Sequence, residues 1–296
     1  MFHPSRLLAG FIGPLAVLFA FALVATAAKA ATAAPMRLAT LDWTLAETLI
    51  ALDHPPVAAA QVDAYQAWVR EPTMPSSVSD LGLRTQPNLE LLASIDPDRI
   101  LISPMFSNLV PRLERIAPVD TLALFSPGRD TWDELCELTH SVAALIDRPQ
   151  AATRLIEATQ AELTDLRSRL DDDAPALLIV QFMDARHVRV FGENGLYQAV
   201  LERLGLTNAW TGNTNAWGFS LVPLEALVGI DAQLVVVKPY PAGVRASLAD
   251  SGLWQELVRR QGAPLILEPV WSFGALPSAQ RFANLLVTAM ENTHAR

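Results

Sequence analysis

Arg84 is the residue whose surroundings most suggest ligand chemistry. It lies in a glycine-containing stretch that begins at Trp68, and the prolines before it cannot continue a helix. We therefore predict a loop around Arg84, followed by a helix that begins at Pro87 and has Glu90 in its first turn. An indole face, a guanidinium group and a helix start close together favour an anionic or oxygen-rich ligand over the surface ion pair that a lone arginine usually forms.

The tryptophans extend this candidate site. Two of the seven, Trp132 and Trp254, fall in or beside helical patterns and are predicted to pack in the core. The others lie in predicted loops or at strand ends, near glycine, proline or asparagine: Trp43, Trp68, Trp210, Trp217 and Trp271. Singly, each could equally close the end of a lobe, but several loop tryptophans together predict a ligand-lining surface.

The sequence contains no motif typical of catalysis or of a protein-built metal site. His54, His140 and His187 are scattered, without an H-E-x-x-H motif or a close cluster of acidic residues. No G-x-S-x-G, P-loop or G-x-G-x-x-G motif occurs. The single cysteine, Cys136, excludes an internal disulfide and a cysteine-based metal site. These patterns predict a binding protein with no cofactor of its own rather than an enzyme.

Alternating strand and helix patterns must position these residues. The alternation over residues 36–147 predicts an α/β domain with a mainly parallel sheet, and the alternation resumes over residues 174–296. Between the two regions, a capping box at Thr131–Glu134 begins roughly forty residues of helical spacing, which is long for a crossover between strands. We interpret residues 148–173 as a connecting helix between an N-terminal lobe, 36–147, and a C-terminal lobe, 174–296.

An internal repeat supports two similar lobes. The segment from Leu89 through the strand at residues 99–102 matches the segment from Leu224 through residues 234–237, and its Glu90 and Glu225 lie 135 positions apart. Each copy predicts a short helix with an early glutamate, then a turn and a strand. Any α/β unit has this order of elements, and an early glutamate suits a helix dipole, but the constant register favours a true repeat.

The N-terminus and the overall charge indicate where the protein works. Arg6 precedes an uncharged run from Leu7 to Ala28, and an A-x-A site ends at Ala30, which predicts a secretory signal peptide over residues 1–30 and a periplasmic location. The run is also long enough to be an uncleaved membrane anchor. With 31 acidic against 22 basic residues, the chain is not expected to bind nucleic acid or to be held on anionic lipid by its charge.

Several ordered motifs resemble the iron–siderophore binding family of ABC importers, and within it the periplasmic ferric-hydroxamate (ferrichrome-type) binders. The motifs are Trp68–Pro72, Gly82–Leu92, Phe191–Gly192, Asn208–Trp210, Thr214–Gly218 and Val270–Gly274. The resemblance runs from about Arg37 to the C-terminus. It implies the class III periplasmic binding protein fold, in which two α/β lobes are joined by a long rigid helix and hold the ligand in a shallow cleft.

The resemblance also implies roles for individual residues. Arg84 would contact the iron-bound hydroxamate oxygens, and Asn215 would add a polar contact. The aromatic cleft would be lined by Trp43, Trp68, Trp217 and Trp271. Glu90 and Glu225 match the acids at the tops of the lobes, which dock on arginines of the membrane permease. Because the siderophore fills the coordination sphere of the ferric ion and carries the iron itself, the protein needs no metal ligand.

Three positions depart from the family pattern. Phe106 and Phe273 stand where tyrosines are expected in the hydroxamate binders, so two possible hydroxyl contacts to the ligand are missing. Arg189 stands in a strand where the pattern is apolar, and it would add a second positive group to the cleft. A more anionic ferric siderophore is therefore compatible with the sequence.

Together these patterns predict a monomeric periplasmic substrate-binding protein. Its cargo would be a ferric siderophore, with hydroxamates first, delivered to an inner-membrane ABC permease and its ATPase. A cobalamin- or haem-binding protein of the same fold is the first alternative, because an aromatic cleft alone would suit those ligands. An exported α/β hydrolase is the alternative from a different class, and the missing pair of nucleophile and base argues against it.

Overall fold

Two five-stranded sheets and a small hairpin make up the β structure. The structure is a computed structural model, which describes residues 34–126, 128–171 and 173–294. The predicted signal peptide, residues 1–30, lies outside these residues. In chain order the strands are β1 (Leu38–Thr40), β2 (Ala58–Ala59), β3 (Ser79–Asp80), β4 (Gly82–Leu83), β5 (Gln86–Pro87), β6 (Arg99–Ile102), β7 (Val119–Thr121), β8 (Leu177–Phe182), β9 (His187–Phe191), β10 (Phe219–Pro223), β11 (Gln233–Val237) and β12 (Leu265–Leu267).

The helices surround these sheets. They are α1 (Trp43–Ala51), α2 (Val62–Trp68), α3 (Leu89–Ile95), α4 (Val110–Leu113), α5 (Thr131–Leu145), α6 (Pro149–Ser168), α7 (Leu196–Leu204), α8 (Val244–Ala249), α9 (Gly252–Gln261) and α10 (Leu276–His294), with 3₁₀ turns at Pro104–Leu109 and Leu224–Leu227. The α/β class that the sequence predicts is confirmed. Among the helices that the structure describes, none is long and apolar enough to cross a membrane.

The two sheets differ in strand direction. The first has the order β3-β2-β1-β6-β7, and all its neighbours run parallel. The second has the order β10-β9-β8-β11-β12, and its pairs β8–β9 and β9–β10 are antiparallel. The prediction of a mainly parallel sheet is therefore confirmed for the first half of the chain, and the second sheet is mixed. The physical reason is the short link between β8 and β9, which allows a hairpin but not a parallel crossover.

Helix α6 follows the first sheet and precedes the second. Pro149 occupies its first turn, where a missing N–H costs nothing, and the helix continues for 20 residues. Its buried side chains include Ala152, Leu163 and Leu166, and the helix contacts α5, α7 and α10. The C-terminal helix α10 also contacts α1, so the last element of the chain packs against the first helix. Residues Pro35–Arg296 form one compact unit, and the boundaries given above for two lobes stay a prediction.

One helix start and one helix cap differ from the sequence-based expectation. Helix α3 begins at Leu89 rather than Pro87, because Pro87 belongs to the β4–β5 hairpin and Asn88 is the cap that accepts a hydrogen bond from the N–H of Leu91. Helix α5 does begin at Thr131, but its cap is Asp130, which accepts from the N–H of Asp133.

Candidate functional site

A cavity of about 590 Å³ lies at the carboxyl ends of the first sheet and is closed by segments of the second half of the chain. Strands β1, β6 and β7 are each followed by cavity-lining residues, namely Asp42, Ser103 and Leu122. This is the edge at which parallel α/β sheets bind ligands. The opposite wall comes from β9, from the segment before β10, and from the segment between β12 and α10. The cavity is therefore built by both halves of the chain.

Arg84 reaches the cavity from the turn of the β4–β5 hairpin. Its side chain is only 13% exposed, and its Nε donates to the carbonyl of Leu41 at 3.1 Å. The guanidinium carbon lies 4.5 Å from the ring centre of Trp43, 5.2 Å from that of Phe106 and 5.6 Å from that of Trp271. Three aromatic rings and one carbonyl fix its orientation. A desolvated cation–π contact stabilises the folded protein by about 2 kcal/mol.

Asp42 is the acidic neighbour of Arg84. Its Oδ2 lies 3.9 Å from Nη2 of Arg84 and accepts a hydrogen bond from Oγ of Ser103 at 2.6 Å. Its Oδ1 accepts from the N–H of Thr44 at 2.8 Å and so caps helix α1. Burial lowers the pKa of Arg84, and the charge of Asp42 opposes that shift. Arg84 is thus a buried cation whose charge is partly balanced by the protein.

Arg189 faces the same cavity from strand β9. Its guanidinium carbon lies 5.0 Å from the ring centre of Phe219 and 5.4 Å from that of Phe273. Its Nη1 donates a long hydrogen bond, 3.4 Å, to Oε1 of Gln181 on the neighbouring strand. Burial lowers the pKa of Arg189. The second half of the chain therefore contributes a cation that is stacked on aromatic rings but held by few polar contacts.

Trp271 and Phe273 form an aromatic wall between the two arginines. Their ring centres lie 5.1 Å apart in an edge-to-face arrangement, and Phe273 continues to Phe219 at 5.8 Å. Thr44 holds this segment to helix α1, because its Oγ1 accepts from Nε1 of Trp271 at 3.1 Å and donates to the carbonyl of Phe273 at 2.8 Å. A residue of the first half thus orients the wall that the second half supplies.

Glu47 anchors the same segment from one turn further along α1. Its carboxylate is fully buried and accepts from the N–H of Ala275 and from Oγ of Ser278, both at 2.6 Å. A Cβ at Gly274 would collide with Glu47 and Ser278, so only glycine permits this approach. Burial raises the pKa of Glu47 to about 8, against the effect of the two hydrogen bonds. Glu47 therefore joins α1 to the N-terminus of α10, directly behind the aromatic wall.

Trp217 lies at the edge of the cavity on a turn before β10. Its side chain is 45% exposed. Asn215 sets this turn, because its Oδ1 accepts from the N–H of Trp217 at 3.0 Å and of Phe219 at 3.3 Å. Gly218 follows with φ +74°, and a Cβ there would overlap Gly195. The turn presents an indole that packs on little protein and is free to contact a ligand.

The structure divides the residues that the sequence singles out. Five of them line the cavity: Arg84, Arg189, Trp217, Trp271 and Phe273. Trp43, 5% exposed, donates its Nε1–H to the carbonyl of Ala60, and Phe106, 2% exposed, lies beneath Arg84. Trp68 is partly buried against the core cluster that contains Trp43, and the Asn215 oxygen is used by its own turn. These four support the cavity rather than line it.

Other lining residues gave no recognisable signal in the sequence. Met105, 59% exposed, and the segment 122–126 both follow strands of the first sheet, so the rule of carboxyl strand ends could have found them. Phe219 also lines the cavity and begins strand β10. Asp42 caps helix α1, and its second role beside Arg84 depends on a contact with a distant hairpin.

The repeat glutamates are on the surface. Glu90 lies in the first turn of α3 and Glu225 in the 3₁₀ turn at Leu224–Leu227. Both are exposed, and neither has an ion-pair partner among the described residues. They are thus available to a partner, while their role stays a prediction.

The histidines contribute to local structure. Nε2 of His54 lies 2.7 Å from the carbonyl oxygen of Met36, and Nδ1 of His187 lies 2.9 Å from Oδ2 of Asp184. Across the described part of the chain, no group of three or more His, Cys, Asp or Glu residues is placed to hold a metal ion. The cavity therefore offers arginine N–H groups and aromatic faces, which suit an oxygen-rich anionic ligand.

Comparison with known proteins gives a consistent result. The profile of the family described as "Periplasmic binding protein" matches residues 38–257. The Iron(3+)-hydroxamate-binding protein FhuD of Escherichia coli (strain K12) is 33% identical over 266 residues, which cover 89% of this chain and 90% of that protein. The Achromobactin-binding periplasmic protein of Dickeya dadantii (strain 3937) is 26% identical over 262 residues, with 80% of each chain covered.

Solved structures agree with this result. The siderophore-binding protein FhuD from Vibrio cholerae, bound to Fe³⁺-Desferal, superposes with a TM-score of 0.82 at 31% identity, and the match covers 86% of this chain and 98% of the other. FeuA from Bacillus subtilis, complexed with ferri-bacillibactin, has a TM-score of 0.69 at 15% identity, which shows a shared fold only. The predicted fold, two α/β lobes of the class III periplasmic binding type, is confirmed by these matches.

Proposed function

Because the chain belongs to the periplasmic binding protein family, we propose that it binds a ferric siderophore, with hydroxamates preferred, and delivers it to an inner-membrane ABC importer. The observation that carries the proposal is Arg84, a buried guanidinium aimed into a cavity of about 590 Å³ and enclosed by aromatic rings. Hydroxamate oxygens that coordinate Fe³⁺ keep partial negative charge, and a fixed guanidinium can donate to them.

The chemistry of the cargo explains why affinity is the whole task. A hexadentate siderophore satisfies the ferric ion, so the protein contributes shape, apolar walls and hydrogen-bond donors but no metal ligand and no cofactor. Two of the similar proteins are named for binding an iron(3+) hydroxamate and Fe³⁺-Desferal. They favour a hydroxamate over cobalamin or haem as the ligand of this cavity, and a binding protein over an enzyme.

The partner is inferred from the two exposed repeat glutamates. Glu90 lies in the first turn of helix α3, and Glu225 lies in a 3₁₀ turn where the repeat predicts a second short helix. Each presents a carboxylate with no counter-ion among the described residues. We infer that they contact arginines of the permease, one glutamate for each half of a monomeric binding protein. Export to the periplasm would be directed by residues 1–30.

The test is an equilibrium titration of the purified protein, followed by tryptophan fluorescence with correction for inner-filter absorption. Trp217 and Trp271 line the cavity and would report occupancy. Ferric hydroxamates should quench saturably, whereas a ferric catecholate, cobalamin and haem should not. The quenching should weaken in Arg84→Ala. Arg112→Ala, which removes an exposed arginine on α4, is the matched control and should titrate like the wild-type protein. Saturable quenching by cobalamin or haem alone would overturn the cargo, and no saturable response to any ligand would overturn the function.

The permease contact has its own test. Glu90→Arg and Glu225→Arg should each abolish most ATP-dependent uptake in a reconstituted system while leaving the dissociation constant for the cargo unchanged. Glu157→Arg, which reverses an exposed charge on α6, should leave uptake at the wild-type rate. Unchanged uptake in both glutamate variants would exclude these acids as docking residues.

A further inference from the structure

Arg189 has no acidic partner. Among the described residues no carboxylate lies within ion-pair distance of it, and its only side-chain hydrogen bond is the 3.4 Å contact to Gln181. Phe219 and Phe273 stack on the guanidinium, and among the described residues Gln181 is the one side-chain acceptor for its N–H groups. A half-buried arginine that gives up hydration without a counter-ion costs free energy, and an anionic ligand would recover it.

The charge that lines the cavity is positive although the protein is acidic. Among the described lining residues the charged side chains are Asp42, Arg84 and Arg189, one acid against two bases. The whole chain carries a formal net charge of −9 at pH 7. A local positive field inside an acidic protein selects for a negative ligand at that place and not for general adhesion to anions.

The two arginines are close enough to act on one ligand. From Arg84 to the Trp271 ring is 5.6 Å, from Trp271 to Phe273 is 5.1 Å, and from Phe273 to Arg189 is 5.4 Å. The two guanidinium groups are thus linked by a continuous series of aromatic contacts, and both line the same cavity. A single chelate can therefore offer its iron-bound oxygens to Arg84 and a peripheral group to Arg189.

We propose that Arg189 binds a carboxylate of the cargo that does not coordinate iron, so that the preferred ligand is a ferric hydroxamate chelate carrying at least one free carboxylate. This rests on the proposed function and specifies its ligand class. The free carboxylate accepts two hydrogen bonds from the exposed edge of the guanidinium, the geometry in which arginine is strongest. Arg189 acts as the residue that distinguishes anionic from neutral chelates.

The test uses three chelates that share one iron centre. Ferric desferrioxamine B ends in an ammonium group, its N-acetyl derivative is neutral there, and its N-succinyl derivative ends in a carboxylate. We expect the wild-type protein to bind the succinyl form about 10-fold more tightly than the acetyl form, and the amine form most weakly. In Arg189→Met, which keeps an apolar stem over the two rings, the affinities of the succinyl and acetyl forms should become equal.

The matched control is Arg186→Met, an exposed arginine in the turn before β9, which removes the same charge outside the cavity and should keep the 10-fold preference. If Arg189→Met does not fold, Arg189→Gln, polar and nearly as long, should lose the preference equally. Equal affinity of the wild-type protein for the succinyl and acetyl forms would overturn this proposal and leave the proposed function intact. So would a preference that persists in Arg189→Met or Arg189→Gln. Failure of all three chelates to bind would instead overturn the proposed function.

Discussion

The two arginines of the cavity are held in different ways. Arg84 contacts three aromatic rings, donates to a backbone carbonyl and lies 3.9 Å from Asp42. Arg189 contacts two rings and one amide, and no acid of the described residues pairs with it. A fixed and partly neutralised cation suits the part of the cargo that is always the same, the iron-bound oxygens. A less constrained cation suits the periphery, which differs between siderophores.

The same contrast extends to the tryptophans. Trp43 on the first half is 5% exposed and uses its N–H within the protein, whereas Trp217 on the second half is 45% exposed on a turn. The groups of the first half are therefore fixed by contacts within the protein, whereas those of the second half gain contacts from the ligand. The difference predicts that substitutions in the first half affect stability and the binding of all ligands, and that substitutions in the second half affect the binding of selected ligands.

The largest effect on the affinity for the cargo is expected for Arg84→Ala. It removes the fixed donor to the iron-bound oxygens, so affinity should fall about 100-fold for every ferric hydroxamate, or roughly 2.7 kcal/mol. Both the succinyl and the acetyl form of desferrioxamine B should lose affinity strongly, whereas Arg189→Met should weaken mainly the succinyl form. Fluorescence titration of both chelates measures this. A loss confined to the succinyl form would mean that the two arginines do not divide the ligand as described.

The next effect compares Trp217→Ala with Trp43→Ala. Because Trp217 packs on little protein, its removal should weaken cargo binding about 10-fold and leave the urea midpoint unchanged. Removal of the buried Trp43 should instead cost about 3–5 kcal/mol of unfolding free energy. Urea unfolding and titration on both variants measure the two quantities. Equal destabilisation by both substitutions would contradict the contrast between the buried Trp43 and the exposed Trp217.

These residues also show how far the sequence can lead. The lining residues Arg84, Trp217 and Trp271 were predictable because charged or aromatic residues next to Gly, Pro and Asn indicate functional loops. The orientation of Trp43 was not, since its N–H finds the carbonyl of Ala60, a contact that depends on the pairing of β1 and β2. Arg189 was recognisable only as a charge in an apolar strand.

Long-range packing explains the other errors. The antiparallel pairing of β8 with β9 and of β9 with β10 joins segments whose partners local patterns do not indicate. Glu47 gave no signal at all, because a glutamate in α1 looks like any surface helix residue until α10 closes over it. Local patterns thus predict elements, and the contacts between distant elements decide which side chains reach the site.

The substitution Asp42→Asn should make the surroundings of Arg84 resemble those of Arg189, because it removes the carboxylate beside Arg84. Asparagine keeps the cap of α1, while the negative charge 3.9 Å from Arg84 disappears. The cavity then carries two uncompensated positive charges, and the preference for the succinyl over the acetyl form should rise about 3-fold. Titration of both chelates at low and high salt measures the change, which should shrink at high salt. A preference that falls would contradict the role of Asp42 as the balancing charge.

Glu47 should affect stability in a pH-dependent way rather than the affinity for the cargo. Its pKa is raised from 4.5 to about 8 by burial, so the folded protein holds a proton that the unfolded chain releases. Its contribution to stability is therefore complete below about pH 4.5 and is lost as pH rises towards 8, by at most about 1.4 kcal/mol per pH unit. Glu47→Gln mimics the protonated form and should remove this slope. Urea unfolding of both proteins from pH 5 to 8 measures it, and parallel curves would contradict the shift.

The most direct test of the account is the position of the iron. Crystals of the protein with ferric desferrioxamine B, measured at the iron absorption edge, would locate the metal by its anomalous scattering. We predict one iron peak inside the cavity, with hydroxamate oxygens within hydrogen-bond distance of the Arg84 guanidinium and with no protein side chain as ligand. An iron peak outside the cavity, or coordinated by side chains of the protein, would contradict the account.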